Sequence, residues 1–143
     1  MAGVRGTSTA SPDLCPALLY EDAKAAVDQL TGAFGFVTGA LYEAEDGTVL
    51  HAELVRGNGM VMVGSKGRGG VFDEAMAGCG PAAVYVVVED TDAHFERAQE
   101  HGVEILCPPA DKEYGSRDYM ARDVGGNVWT FGTYAPEGPE VTA

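Results

Sequence analysis

The two residues best suited to chemistry in this sequence are His51 and Glu53, in the run His51-Ala52-Glu53-Leu54. The run alternates in polarity, which is typical of a β-strand with one buried face. Side chains two positions apart on a strand point to the same side, so the imidazole and the carboxylate should be neighbours. Such a pair can act as a general acid and base. It can equally be a buried hydrogen-bonded pair that shapes a cleft, or lie in water at the rim of one.

Other catalytic motifs are missing from the sequence. It has neither a serine, histidine and aspartate set with a nucleophile elbow nor an HExxH run. His94 and His101 are seven positions apart in a predicted helix, and we expect both to face solvent. The run Gly67-Arg68-Gly69-Gly70 lacks the Lys-Ser/Thr partner of a phosphate-binding loop and is not predicted to open a helix after a strand.

Composition excludes several classes of partner. The 22 acidic and 9 basic residues give a net charge of -13, which argues against a nucleic-acid partner. The acidity can serve solubility, or it can steer a cationic ligand towards an acidic cleft. No apolar stretch approaches the 18 or so residues of a membrane span, so no membrane partner is expected.

The cysteines indicate a compartment. Cys15, Cys79 and Cys107 are an odd number without a CxxC pair. This usage predicts buried free thiols in a reducing cytoplasm rather than a disulfide framework.

The sequence repeats itself with an offset of 68 positions, so that residues 15–64 correspond to residues 83–132. The anchor Glu21-Asp22 followed by Ala25 returns as Glu89-Asp90 followed by Ala93, and Gly57 returns as Gly125. A site on the pseudo-twofold axis of such a repeat must draw its residues from matched positions. One copy can therefore be used to predict the other.

Each copy reads as strand, helix and three further strands. The predicted strands of the first copy are 14–20, 36–43, 49–55 and 60–64, with a helix at 21–34 that Asp22 caps and tight turns at Asp46-Gly47 and Asn58-Gly59. Those of the second are 82–88, 103–106, 119–122 and 128–134, with a helix at 91–101. The chain of 143 residues thus divides into a flexible tail at 1–12, a first module at 13–65, a connector at 66–81, a second module at 82–134 and a flexible tail at 135–143.

These features resemble a known family over residues 13–134. The motifs that carry the resemblance are Tyr20-Glu21-Asp22 leading to Ala33-Phe34-Gly35-Phe36, His51-Ala52-Glu53-Leu54, Pro108-Pro109, Tyr114-Gly115-Ser116-Arg117 and Arg122-Asp123 through Gly126-Asn127 to Trp129. In this order and on a visible repeat they are similar to the vicinal oxygen chelate superfamily of glyoxalases, bleomycin-resistance proteins and extradiol dioxygenases. The resemblance implies an α+β fold in which two tandem βαβββ modules form an open, curved mixed sheet around a cleft, with helices on the outer face.

The resemblance also implies where a metal would bind. Family spacing from Asp22, Asp90 and Asn127, with the repeat offset, assigns the four metal-ligand positions to Cys15, Met62, Ala83 and Thr130. None of them carries the imidazole or carboxylate that a hard divalent metal requires, so we expect neither a metal nor a cofactor. A thiol and a thioether together could suit a soft ion such as Cu(I), but a buried apolar cleft floor is the preferred interpretation.

Strand alternation then defines a candidate ligand-binding face. The predicted ligand-binding residues are Cys15, His51, Glu53, Met60, Met62, Ala83, Tyr85, Tyr119 and Thr130. Ala121 is placed beside Tyr119 on this face, and Trp129 on the opposite face with the core.

Two functions are predicted from these residues. The first is a bleomycin-resistance-like protein that binds and sequesters a small aromatic or cationic compound in a metal-free cleft. The alternative is a lyase, isomerase or dioxygenase of the same superfamily, with His51 and Glu53 as acid-base pair or with a non-standard metal site. The resemblance further implies a homodimer, with the cleft completed by one chain or by two.

Overall fold

The computed structural model describes residues 12–138. Most of the predicted tails, residues 1–11 and 139–143, lies outside the described residues. The strands within the described part are β1 (Ala17–Tyr20), β2 (Val37–Glu43), β3 (Val49–Arg56), β4 (Gly59–Ser65), β5 (Ala83–Val87), β6 (Glu104–Asp111), β7 (Arg117–Arg122) and β8 (Val128–Gly132). The helices are α1 (Ala23–Gly32), α2 (Val71–Met76) and α3 (Thr91–Glu100).

The strands form two four-stranded mixed sheets of the same topology. The first has the order β1-β4-β3-β2 and the second the order β5-β8-β7-β6. In each sheet the first and last strands of the module pair in parallel, and the remaining pairs are antiparallel. The α+β class and the tandem βαβββ modules predicted from the sequence are confirmed.

The repeat is visible in the way the two long helices begin. The side chain of Asp22 accepts a hydrogen bond from the backbone N–H of Ala25 at 3.0 Å, and Asp90 does the same for Ala93 at 3.0 Å. Each carboxylate satisfies a backbone donor that has no partner within its own helix. The paired Glu-Asp motif of the sequence therefore encodes two equivalent helix starts.

One hydrophobic core joins the modules. The ring of Phe34, which follows α1, lies 4.7 Å from that of Phe131 and 5.8 Å from that of Trp129. Phe36 meets Trp129 edge to face at 5.7 Å. Trp129 is fully buried, so its predicted place in the core is confirmed. The helix-facing side of the second sheet therefore packs against the residues that follow α1. The two modules share one hydrophobic core.

A buried carboxylate fixes the contact between modules. Asp123 Oδ2 accepts hydrogen bonds from Tyr20 Oη at 2.6 Å and Trp129 Nε1 at 2.9 Å. Its Oδ1 accepts from the backbone N–H groups of Gly125 and Asn127, each at 2.9 Å. A Cβ at Gly125 would lie 2.5 Å from the Tyr20 ring, so only glycine lets the chain pass there. Burial and the Asp123 carboxylate both raise the pKa of Tyr20.

The offset of the repeat changes inside the second module. Met62 and Thr130 differ by 68, but the residues paired with them, Glu53 and Met120, differ by 67. The turn between the last two strands is the cause, because it has two residues between Arg56 and Gly59 but three between Asp123 and Asn127. A shift of one residue moves every side chain of a strand to the other face.

The face predicted for Tyr119 and Ala121 is therefore wrong. Tyr119 is 1% exposed, Ala121 is fully buried, and they pair with Phe131 and Trp129 on the helix-facing side. The counterparts of His51 and Glu53 in the second module are Asp118 and Met120 rather than Tyr119 and Ala121.

Two other expectations are corrected in the connector and the cysteines. The connector contains α2, and Gly70 is its N-cap, so the glycine run does precede a helix after a strand. The helix has only six residues and all its apolar side chains are at least partly exposed. Cys79 and Cys107 are exposed and Cys15 is partly exposed, so the predicted burial of the thiols is wrong. Within residues 12–138, no helix is long and apolar enough to cross a membrane.

Candidate functional site

Each sheet has one face covered by helices and one open face. The open face of the first sheet carries Cys15 and Ala17 at β1, Met60 and Met62 on β4, His51 and Glu53 on β3, and Ala40 and Tyr42 on β2. The alternate residues Leu18, Ala52, Leu54, Val61 and Val63 are buried against the helix side. Strand pairing therefore places five of the nine predicted ligand-binding residues on one surface.

The centre of this face is a histidine and glutamate pair. His51 Nε2 lies 2.9 Å from Glu53 Oε2, and the two side chains are 40% and 35% exposed. The ring of Tyr42 stacks on His51 with 6.3 Å between ring centres and 21° between planes. The pair is thus partly exposed to solvent and in contact with an aromatic ring.

Tyr42 was not among the predicted ligand-binding residues, and it lies next to an irregularity in β2. Tyr42 pairs with His51, but the next residue, Glu43, pairs with Val49. A β-bulge of this kind changes which side chains share a face. A regular two-residue turn at Asp46-Gly47 pairs Glu45 with Thr48 and hence Tyr42 with His51, so the predicted hairpin already contained the signal for this contact.

A flexible apolar floor lies beside the pair. Met62 pairs with Glu53, and Ala17 pairs with Met62 on the other side of β4. The backbone N–H of Met62 donates to Pro16 O at 2.8 Å, which holds the Cys15 segment against the same strand. Met60 and Met62 are partly exposed, and unbranched thioethers adapt their shape to a variety of apolar ligands.

The remaining predicted ligand-binding residues divide between two places. Ala83, Tyr85 and Thr130 lie on the open face of the second sheet, where Tyr85 pairs with Thr130 and is 39% exposed. The strand shift adds Met120 to this face beside Thr130, and Arg122, which donates to Glu104 at 2.6 Å. Tyr119 lies in the core instead.

Tyr119 belongs to a buried network between the modules. Its hydroxyl lies 2.6 Å from His94 Nδ1, and His94 Nε2 lies 2.9 Å from the carbonyl oxygen of Phe34. The expectation that His94 faces solvent is therefore wrong. Desolvation lowers the pKa of His94 to about 4, to which the charges of Arg56 and Arg97 contribute, and burial raises the pKa of Tyr119. The network links the second module to Phe34 of the first, so we assign it a role in stabilising the fold.

The positions where the superfamily holds a metal do not fit one. Met62 and Thr130 lie on the last strands of the two modules, and Cys15 and Ala83 lie at or just before the first strands. Only a thiol and a thioether among these four side chains are metal ligands, and both are soft donors. Among residues 12–138, no group of three or more histidine, cysteine, aspartate or glutamate side chains is arranged to hold a metal ion.

A cavity of about 460 Å³ lies at the β1 edge of the first sheet. It is lined by Ala17, Leu18, Leu19, Lys66, Asp73, Met76, Ala77, Gly78, Cys79, Gly80, Pro81, Ala82, Gly125 and Asn127. It runs between β1 and the connector, and none of the nine predicted ligand-binding residues lines it. We place the candidate site on the open face of the first sheet instead, because the titratable and aromatic side chains converge there.

The paired modules define the class of protein, an α+β fold of two tandem βαβββ units with an open sheet face on each. A family model for the Glyoxalase/Bleomycin resistance protein/Dioxygenase superfamily matches residues 15–131. The chain therefore belongs to that superfamily.

Several relatives share most of the chain. Uncharacterized proteins of Mycobacterium bovis and Mycobacterium tuberculosis are each 30% identical over 133 residues, which span 85% of this chain and 82% and 74% of the relatives. The crystal structure of TioX from Micromonospora sp. ML1 is similar with a TM-score of 0.71 and 35% identity, over 85% of this chain and 98% of TioX. Lactoylglutathione lyase from Agrobacterium tumefaciens shares the fold at 17% identity and a TM-score of 0.63, over 87% of this chain and 95% of the lyase.

Proposed function

We propose that this protein binds a small aromatic or cationic compound on the open face of its first sheet and sequesters it unchanged. The observation that carries the proposal is the arrangement of that face, where Tyr42 stacks on His51 and Glu53 lies 2.9 Å from the imidazole. An aromatic ring, a carboxylate and an adaptable apolar floor are the groups that recognise a planar cation. Superfamily membership supports the proposal through its bleomycin-resistance branch.

Charge and surroundings support the same proposal. The net charge of -13 attracts cations over a distance and raises their concentration near the protein. A cytotoxic compound of this class would be withdrawn from its target, so the proposed role is resistance to such a compound. We place the protein in the cytoplasm, where exposed thiols such as Cys79 and Cys107 stay reduced.

The experiment uses 9-aminoacridine, a planar aromatic cation, with neutral acridine as its matched control. Fluorescence titration should show tighter binding of the cation to the purified protein, and Tyr42→Ala should weaken it by removing the stacked ring. Mass spectrometry of the compound after denaturation should return its original mass. Equal binding of the two compounds, or recovery of a modified product, would contradict sequestration of a cation.

Binding without a metal is part of the proposal, because the four metal positions lack hard donors. Elemental analysis of protein purified without an affinity tag should give no stoichiometric Mn, Fe, Co, Ni or Zn. A metal content near one ion per chain that disappears when Cys15 and Met62 are replaced by alanine would contradict metal-free binding.

We further propose that the protein is a homodimer. Strand β2 lies at the edge of the first sheet and leaves Val37 66% exposed, and a sheet edge of this kind can pair with that of a second copy. Sedimentation should give a species of twice the chain mass at micromolar concentration. A single species at the monomer mass across that range would overturn the proposal.

The hydrogen bond between His51 and Glu53 supports a second candidate function, proton-transfer catalysis on a small substrate. A carboxylate that orients an imidazole is the usual arrangement of a general base. The hemithioacetal of methylglyoxal and glutathione is a direct test substrate for the superfamily. Turnover that is lost in His51→Gln and in Glu53→Gln would favour the enzyme over the binder.

A further inference from the structure

A second group of chemistry-bearing side chains lies at one end of the open face of the second sheet. Its centre is Asp118 on β7, which pairs with Gly132 and shares the open face with Met120. The residue is only 5% exposed, so its carboxylate is one of the few buried charges in the described part of the chain. Asp118 is the structural counterpart of His51, but it is separate from the site proposed for the first sheet.

The Asp118 carboxylate is incompletely neutralised by its neighbours. Tyr114 Oη donates to Oδ2 at 3.2 Å, and Lys112 Nζ lies 3.7 Å from Oδ1. A charge-assisted hydrogen bond between an ammonium and a carboxylate is about 2.7–2.9 Å long, so the lysine is a distant counter-ion. Oδ1 accepts no hydrogen bond from a side chain within residues 12–138, and since none of the buried side-chain atoms there lacks a partner, Oδ1 is open to solvent. A buried carboxylate in this condition favours a cation that can approach more closely.

Tyr114, which donates to this carboxylate, belongs to a connected group of three tyrosines. The rings of Tyr114 and Tyr134 meet edge to face at 5.9 Å, and Tyr85 Oη donates to Tyr134 O at 2.8 Å. The three side chains are 64%, 47% and 39% exposed for Tyr114, Tyr134 and Tyr85 respectively, so they are accessible from solvent.

Gly132 permits this close arrangement. A Cβ there would lie 2.6 Å from Asp118 Cβ and 2.8 Å from Tyr85 Oη. Any larger residue would push the tyrosine away from the carboxylate, so the glycine brings ring and charge together.

We propose that Asp118, Tyr85, Tyr114 and Tyr134 form a binding site for an organic ammonium group, with Lys112 as an internal competitor for the carboxylate. Tyrosine rings attract cations, and the carboxylate oxygen accepts N–H donors. A primary or secondary ammonium supplies both charge and donors, whereas a quaternary ammonium lacks the donors. Binding displaces the ammonium of Lys112, which is 41% exposed and can move into solvent.

The probe is dansylcadaverine, whose fluorescent ring carries a primary ammonium on a flexible chain, with its neutral N-acetyl derivative as control. Fluorescence polarisation should show that the ammonium form binds and the acetylated form does not. Asp118→Asn, which keeps the shape and removes the charge, should weaken binding by about tenfold or more. Lys112→Met should tighten it by roughly threefold, because the internal competitor is gone.

Lys24→Met is the matched control. Lys24 lies in α1 and makes an exposed ion pair of 3.0 Å with Glu43 of the first sheet. It should leave the affinity for dansylcadaverine unchanged. If Asp118→Asn does not fold, Lys112→Met alone decides, and unchanged or weaker binding overturns the inference. Loss of binding in Glu53→Gln but not in Asp118→Asn would place the probe on the first sheet. That outcome would refute the ammonium site and support the proposed function.

Discussion

The two modules of this protein have the same topology but present different chemistry on their open faces. The first face carries a solvent-accessible pair, His51 and Glu53, whereas the equivalent strand of the second carries the buried Asp118 and the apolar Met120. The difference begins with one additional residue in the last turn of the second module, between Asp123 and Asn127. An insertion in a turn can therefore change which side chains a sheet face presents without altering the fold.

The additional residue also has a structural consequence. The longer turn lets the carboxylate of Asp123 accept hydrogen bonds from two backbone N–H groups of the same turn and from Tyr20 Oη of the first module. The two-residue turn at Gly57 and Asn58 connects its strands directly. The longer turn therefore joins the two modules as well as connecting its strands.

The largest expected effect comes from breaking the module-joining turn. Asp123→Ala leaves Tyr20 Oη, Trp129 Nε1 and the turn N–H groups without their acceptor in a buried place. We expect the free energy of unfolding to fall by about 3–5 kcal/mol, measured by urea denaturation.

Asp46→Ala is the matched control in the first module. Asp46 accepts from the backbone N–H of Thr48 at 3.0 Å in an exposed hairpin turn. Its loss should cost about 1 kcal/mol or less. Similar losses in the two variants would mean that the Asp123 network does not join the modules.

The general fold could be predicted from the sequence because its determinants are local. The Asp22 and Asp90 helix starts and the alternating strands need no knowledge of distant contacts. The failure at Tyr119 has a different origin, since it follows from one additional residue in a turn. The glycine pair Gly57 and Gly125 fits the offset of 68 and so conceals the longer turn.

The burial of His94 was not predicted, and here the reason is a third one. Its spacing from His101 suggested a solvent-facing helix surface, but contact with the other module at Phe34 buries it. Such contacts depend on how the two modules pack, which a single helical pattern does not contain. The ligand-binding role of the predicted open-face residues stays a prediction.

A smaller effect is expected from the titration of His94. Desolvation lowers the pKa of this residue from 6.5 to about 4 in the folded protein. Below pH 6.5 the unfolded chain takes up a proton that the folded chain does not bind until about pH 4, so stability is lost as the pH falls through this range. We expect His94 to account for a loss of about 2 kcal/mol between pH 7 and pH 4.5.

The measurement is urea unfolding at pH 7 and pH 4.5 for the wild type and His94→Gln. The variant should lose less stability on acidification than the wild type. His101→Gln, which changes an exposed histidine on the same helical segment, should follow the wild type. An acid response of His94→Gln identical to that of the wild type would show that the module interface tolerates a charged imidazole.

Glu53→Gln is expected to have the smallest effect on stability and the largest effect on ligand binding. Its pair with His51 is 35–40% exposed, and ion pairs of that kind contribute about 0–1 kcal/mol to folding. Glu53→Gln keeps the shape of the side chain and a hydrogen-bond acceptor, so the free energy of unfolding should change by less than about 1 kcal/mol. Its carboxylate should nevertheless matter to a bound cation, because a charge-assisted hydrogen bond contributes about 1.5–3 kcal/mol.

Glu53→Gln should therefore weaken the binding of 9-aminoacridine by about tenfold or more while leaving the binding of neutral acridine unchanged. Glu43→Gln is the matched control, because Glu43 is also on the first sheet but pairs with Lys24 rather than with a histidine. Isothermal titration of the three proteins with both compounds gives the comparison directly. Equal loss of affinity in the two variants would mean that overall negative charge, rather than the open face around His51, attracts the ligand. An unchanged affinity in Glu53→Gln would remove the first face as the cation site and leave Asp118, its counterpart on the second face, as the carboxylate to examine.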